Sequence, residues 1–231
     1  MTAIRLHITA EGPTEERFGN LVLVPHLGNR FQVAADVRPV KTGRKRGRDY
    51  RGGLLAYGKA KNDIQEWMRE ERNNVEARFT TMFDLYALPK DFPAYQEAAD
   101  CRDPYERVAL LESALAHDLG DERFIPYIQL HEFEALILAD PQQLDWEYLF
   151  ESPAIERLVE LTREANPEEI NDGPETAPSK RIIAEIPAYE KQKAAVGPFV
   201  AEKIGLDVLW QRCRHFREWM EKIEGLGRAN A

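Results

Sequence analysis

Three apolar runs in this chain each stop at acidic residues: Ile4 to Thr9 before Glu11, Phe79 to Phe83 before Asp84, and Phe124 to Leu130 before Glu132 and Glu134. Carboxylate oxygens are the ligands of hard divalent cations such as Mg2+ or Mn2+. If the runs are neighbouring parallel strands of an open α/β sheet, their carboxyl ends share one edge, and the acids converge there. The pattern predicts a metal-dependent site that handles phosphates.

Each acid also has a plainer reading. Glu11 is followed by Gly12 and Pro13, a strand-ending turn that projects a carboxylate into a crevice while the next helix offers its amides to an anion. A surface glutamate in a helix-starting turn fits the same residues. Asp84 closes Thr80-Thr81-Met82-Phe83, a run that reads as buried, and a buried unpaired carboxylate is costly. It therefore calls for a cation or a basic partner; the alternative is an Asp capping the turn towards Pro89. Glu132 and Glu134 share one side of an extended strand but point about 200° apart on a helix. The helical character of HEFEALIL gives at least one of them a structural role. His131 is a candidate metal ligand or proton relay, against the commoner reading of a hydrogen-bonded neighbour.

The net charge is −9, and it is unevenly spread. Arg38, Lys41, Arg44, Lys45, Arg46, Arg48 and Arg51 face a single Asp49, so residues 38–51 carry +6 and the remainder −15. Such a segment is an electrostatic footprint for a polyanion, and Gly43 and Gly47 would let a mobile loop wrap around it. With Tyr50 as its one aromatic, contact with the nucleic-acid backbone is expected rather than base stacking. The plainer reading is a solvated loop that balances an acidic body.

These residues need a scaffold, and alternating periodicities supply one. Strand chemistry is read at Ile4 to Ala10, at about 31–40, at Phe79 to Phe83 and at Phe124 to Leu130; helical spacing is read at about 14–27, 54–72 and 104–117. Alternation of this kind implies right-handed crossovers and a mainly parallel sheet covered on both faces. After about Asp140 the strand signal ends, and helices are expected at about 153–165, 179–186 and 207–223. The expected organisation is an α/β domain over residues 1–140 followed by a helical region over 141–231 packed on it.

At 231 residues, 43% hydrophobic and 31% charged, the chain reads as globular. Its apolar stretches are far shorter than the roughly 20 residues that cross a bilayer, and its start reads as a strand rather than a signal segment, so a cytoplasmic location is expected. Cys101 and Cys213 are too few and too far apart for a disulfide scaffold or a paired zinc motif, and both are read as buried reduced thiols. There is no G-x-x-x-x-G-K-[ST] phosphate loop, no G-x-S-x-G elbow, no H-E-x-x-H and no CxxC, which argues against ATP hydrolysis by this chain alone.

Five segments together resemble a known family: Glu11-Gly12-Pro13-Thr14-Glu15, the Arg51-Gly52-Gly53 turn, Met82 to Pro89, Gln129 to Leu136, and Pro178-Ser179-Lys180-Arg181. In order and spacing they are similar to the bacterial family of unknown function numbered 4276. That family in turn resembles the Toprim domain of topoisomerases, primases and overcoming-lysogenization-type nucleases. There, a glutamate after the first strand and an Asp-x-Asp after a later one hold magnesium for phosphoryl transfer. The resemblance places Glu11 at the glutamate and Asp84 at the first aspartate. Tyr86 stands at the second, which weakens a two-metal site unless Glu132 or Glu134 replaces the missing carboxylate. It also implies companionship with ATPases in bacterial anti-phage systems.

The leading expectation is a Toprim-like, magnesium-dependent nuclease or nuclease-derived subunit. Glu11, Asp84 and Glu132 or Glu134 would hold the metal. Lys41, Arg44, Lys45, Arg46, Arg48 and Arg51 would grip the nucleic-acid backbone, with Lys180 and Arg181 as a further anion contact. The alternative is a non-catalytic interaction or sensor protein with a degenerate Toprim fold that binds a partner ATPase. A small-molecule phosphotransferase is a weaker third reading, because no nucleotide loop is present.

Overall fold

The computed structural model describes residues 4–45, 48–51, 54–170, 173 and 175–228, and the side chains of residues 42–51 lie outside that description. In chain order the regular elements begin with β1 (Ile4–Ala10), α1 (Pro13–Phe18), α2 (Val24–Phe31), β2 (Val33–Pro39), β3 (Lys41–Lys45) and β4 (Arg48–Arg51). Next come α3 (Tyr57–Glu70), β5 (Ala77–Asp84), α4 (Tyr95–Ala99), α5 (Pro104–Leu119), β6 (Phe124–Ile125), β7 (Ile128–Gln129) and α6 (Glu134–Ile137). The chain ends in α7 (Ser152–Thr162), α8 (Pro178–Glu185), α9 (Lys193–Ile204), α10 (Leu206–Arg212) and α11 (Arg214–Arg228).

The central sheet runs β2-β1-β5-β6, with β7 also on β5, and every pairing in it is parallel. This is the α/β class expected from the alternating periodicities. Residues two apart on a strand share a face, and the core divides accordingly. Ile4, Leu6, Ile8 and Met82 join one apolar cluster with Phe18, Leu23 and Leu27, and with Phe216, Trp219 and Met220 of α11. Ala77, Phe79 and Phe83 join the other with Ile64, Trp67 and Met68 of α3 and Val108, Leu111 and Leu115 of α5. Helices therefore cover both faces. The first cluster continues through Phe133, Leu136 and Ile137 to Ile155, Ile182 and Val200, so one apolar core crosses residue 140. No described helix is long and apolar enough to cross a membrane.

Several local outcomes differ from the periodicity reading, each for a physical reason. The helix expected over 14–27 extends to Phe31 in two α segments joined by a π turn at Gly19–Leu23. Pro25, just past that turn, lacks the N–H of a regular α-helix. A Cβ on Gly19 would lie 2.9 Å from Val37 Cγ2, so glycine allows the close seat on β2. The basic segment read as a loop forms the antiparallel hairpin β3-β4, paired from Lys41 with Arg51 to Lys45 with Arg48. The strand read over 124–130 is split at Pro126, which has no amide to donate. There the Thr81 hydroxyl donates to the Tyr127 carbonyl at 2.8 Å and accepts from its N–H at 3.3 Å.

The last helix, read as one, is two. The buried Glu168 carboxylate accepts the N–H groups of His215 at 2.8 Å and Phe216 at 3.0 Å, capping α11 and breaking the helix at Cys213. α9 lies where no helix is read from the sequence, and it carries Gly197-Pro198, a helix-breaking pair, in its middle. Cys213 is buried as expected, whereas Cys101 is partly exposed.

Candidate functional site

β1 connects onward to β2 on one side, while β5 lies on its other side and leads to β6. The crevice between the carboxyl ends of β1 and β5 is thus the topological switch point, where ligands of open α/β sheets bind. Glu11 follows β1, and Asp84 ends β5. Their backbones are stitched together beyond the strand pairing. Glu11 N–H donates to the Met82 carbonyl at 2.9 Å, and Asp84 N–H donates to Glu11 Oε2 at 2.9 Å.

Three further carboxylates face the same crevice. Glu15, Glu11, Glu134 and Glu132 all act on Asp84 as repelling like charges. Glu15 entered the sequence reading only as the end of the Glu11-Gly12-Pro13-Thr14-Glu15 segment, with no role at the site. It lies at the third position of α1, buried, with Oε2 accepting the Gly12 N–H at 2.8 Å. A capping glutamate three residues after a strand-ending glycine points back to the crevice, and that spacing was the available signal. The helical character read over HEFEALIL holds from Glu134, where α6 begins, and the strand reading does not, since β7 ends at Gln129. His131 adopts a left-handed conformation, φ 64°, and this turn lets both Glu132 and Glu134 act on Asp84.

The cluster is fixed by one anchor per glutamate. Besides those of Glu11 and Glu15, Glu132 Oε1 accepts the Ser179 N–H at 2.5 Å at the start of α8, and Glu134 Oε1 accepts the Tyr189 hydroxyl at 3.1 Å. Lys193 Nζ lies 3.7 Å from Glu134 Oε1. Asp84 Oδ1, by contrast, is buried with no hydrogen-bond partner. Burial, followed by the repulsion of Glu15 and Glu11, holds the Asp84 carboxyl well above the usual range. Burial likewise pushes Glu11 up to about 8, opposed by the Asp84 amide, and Glu134 up to about 7, and it raises Glu15.

The carboxylates in this crevice are hard oxygen ligands, the chemistry of Mg2+ or Mn2+, and the orphaned Asp84 Oδ1 is an atom that a cation would satisfy. Among the described residues, however, no three His, Cys, Asp or Glu side chains stand in a ligating arrangement. The arrangement is that of neighbouring carboxylates whose pKa values burial and mutual repulsion raise, without three of them drawn onto one point.

The other candidate residues divide. The His131 ring lies outside the acids, in a neighbouring cleft with Arg107, and burial lowers it to about 4, leaving it neutral. Lys41 is spent on α3, with Nζ 3.4 Å from Asp63 and 3.2 Å from Glu66. Arg38 lies 3.6 Å over the Trp67 ring and 3.5 Å from Asp63. The side chains of Arg44, Lys45, Arg46, Arg48 and Arg51, and the whole of Gly52 and Gly53, lie outside the described residues. Lys180 is exposed on α8, one residue from the amide that anchors Glu132, while Arg181 Nε donates to the Thr176 carbonyl at 2.9 Å. Tyr86 is exposed, its N–H donating to the His131 carbonyl at 3.0 Å.

A family model described as domain of unknown function (DUF4276) matches residues 10–224. The chain belongs to that family. All five crevice acids and the Ser179 and Tyr189 anchors lie within the DUF4276 match, so the crevice is part of the DUF4276 unit itself. No curated protein and no solved structure matches the chain.

Proposed function

We propose that the chain is a Toprim-like, magnesium- or manganese-dependent nuclease, or a subunit derived from one, acting on nucleic acid. The observation that carries this reading is the buried, unpartnered Asp84 Oδ1 amid four other carboxylates at the switch point. A cluster of buried like charges is unfavourable by itself and is relieved by a divalent cation. Glu11, Asp84 and one of Glu132 and Glu134 would hold the metal. When bound it would supply an activated water and neutralise charge on the scissile phosphate. Bringing these acids onto one ion requires side-chain rotation from the spread arrangement described above.

The chain's own residues do the positioning. The Asp84 amide orients Glu11, and Gly12 holds Glu15 against the crevice. The α8 amide at Ser179 fixes Glu132 and sets exposed Lys180 beside it, where a cation can meet a phosphate backbone. The hairpin β3-β4 adds the basic residues Arg44, Lys45, Arg48 and Arg51; Arg46, which comes between them in sequence, lies outside the described residues. Action within an anti-phage system alongside a partner ATPase is proposed from the family resemblance and the missing nucleotide loop, and a cytoplasmic setting from the short apolar stretches of the sequence.

The test is cleavage of DNA and RNA with Mg2+ or Mn2+ by the full chain, alone and with a candidate partner ATPase. Cleavage is expected, and it is expected to vanish in the Glu11→Gln, Asp84→Asn double variant. Cleavage that survives in that variant removes the role assigned to the acids.

A second reading, a non-catalytic partner-binding subunit, is favoured by the spread carboxylates and by Tyr86 where a second aspartate would complete a two-metal site. Calorimetric titration with Mg2+ separates the two, since a pure binding module gives no heat that depends on Asp84.

A further inference from the structure

Beside the acidic crevice lies a cleft of about 320 Å3 lined by Leu85, Cys101, Arg102, Pro104, Arg107 and His131, together with the exposed Glu169. Arg107 sits one turn into α5, and its Nε is buried without a hydrogen-bond partner. Neither Arg107 nor Arg102 makes an ion pair among the described residues. A buried guanidinium donor left unpaired is costly, and the cost is removed by an acceptor with several oxygens. The His131 turn that delivers Glu132 and Glu134 to the acids also directs its ring here. That non-glycine left-handed backbone is strained, and such strain clusters at functional sites.

We propose that this cleft is a phosphate-binding subsite in which Arg107 and Arg102 hold the oxygens of a phosphoryl group. A guanidinium presents a planar fork of donors that matches phosphate bidentately. Leu85 and Pro104 give the cleft an apolar wall, and Arg102 stands exposed where it can close on a bound anion. Leu85 follows Asp84 and His131 precedes Glu132, each about 3.8 Å along the backbone from an acid. A strand held at the acids can thus set a neighbouring phosphate in this cleft. That use rests on the proposed function; phosphate binding itself does not.

The experiment uses the full chain in EDTA with inorganic phosphate as the probe, so that no metal contributes. Calorimetry is expected to show saturable phosphate binding, weakened at least tenfold by Arg107→Ala, the loss of one charge-assisted contact of about 1.4 kcal/mol. Cys101 lines the cleft while Cys213 is fully buried, so alkylation by neutral iodoacetamide reports on Cys101. Phosphate is expected to slow that alkylation in the unaltered chain and to lose this effect in Arg107→Ala. If Arg107→Ala does not fold, Arg107→Lys keeps the charge without the fork, and the protection of Cys101 in the unaltered chain stands alone. No phosphate heat, unprotected Cys101, or unchanged affinity in the Arg107 variants overturns the proposal. Glu11→Gln is expected to bind phosphate at least as tightly; loss of binding there would place the anion at the acids and also overturn it. Phosphate binding without any cleavage counts against the proposed nuclease alone.

Discussion

The main-chain N–H of Asp84 donates to Glu11 Oε2 at 2.9 Å, so the end of β5 clamps the acid that follows β1. With Glu11 N–H already on the Met82 carbonyl, the two acids are held side by side by backbone that neither can leave without breaking the sheet edge. The repulsion between them is built into the fold, and it is the property most open to measurement.

Neutralising one member should relieve it. In metal-free buffer near pH 8, Asp84→Asn is expected to stabilise the chain by about 1–2 kcal/mol, raising Tm by roughly 2–8 °C. On the proposed function Mg2+ is expected to raise Tm in the unaltered chain, and the same change should abolish that rise. Thermal scans with EDTA or Mg2+ check both, and an Asp84→Asn chain that is less stable without metal would contradict the repulsion.

The acids also set a pH dependence. Glu11 at about 8 and Glu134 at about 7 are raised above their unfolded value of 4.5, so the folded chain holds protons that the unfolded chain has released. Their contribution is fully present below pH 4.5 and is lost as pH rises through 7 and 8. The slope is about 1.4 kcal/mol per pH unit for each carboxyl that stays protonated. Urea unfolding in EDTA across this window should show stability falling, and Mg2+ should flatten the fall.

His7 contributes the opposite slope. It is buried on β1 between Trp67 and Phe79, ring centroids 4.4 and 5.1 Å away, and burial lowers it to about 4 despite Glu71 at 3.5 Å. A depressed histidine gives stability that is present above its unfolded value of 6.5 and lost as pH falls through 4. His7→Phe is therefore expected to lessen the loss of stability between pH 6.5 and 4.5, as read by the same unfolding measurement.

Lys41 should matter little for nucleic acid, since Asp63 and Glu66 already match its charge. Lys41→Ala is expected to cost about 0–1 kcal/mol of stability and to change affinity less than twofold. Joint replacement of Arg44, Lys45, Arg46 and Arg48 by alanine should instead flatten the salt dependence of binding, by a log–log slope of about 3. Fluorescence anisotropy at several salt concentrations measures this; an unchanged slope would remove the hairpin from the interface.

Much of the scaffold was legible because burial on both faces of a parallel sheet writes short apolar runs into β1 and β5, and helical spacing writes α3, α5 and α7. The breaks were not. Splitting the strand at Pro126 depends on the Thr81 hydroxyl 45 residues earlier, and ending α10 at Cys213 depends on Glu168, likewise 45 residues earlier. Neither partner lies within the window that periodicity samples.

The amino-acid sequence by itself determined an α/β chain with Glu11 and Asp84 at the ends of two apolar strands, because strand burial and turn chemistry act over neighbouring residues. Only the tertiary structure decided that these strands are adjacent at the switch point, that Glu15 joins them, and that a left-handed His131 delivers both Glu132 and Glu134. It also decided that Lys41 is consumed by α3 and that Arg107 Nε has no hydrogen-bond partner among the described residues. The reason is that a charge's surroundings are set by strand order and by burial among residues distant in the chain, and local pattern carries neither.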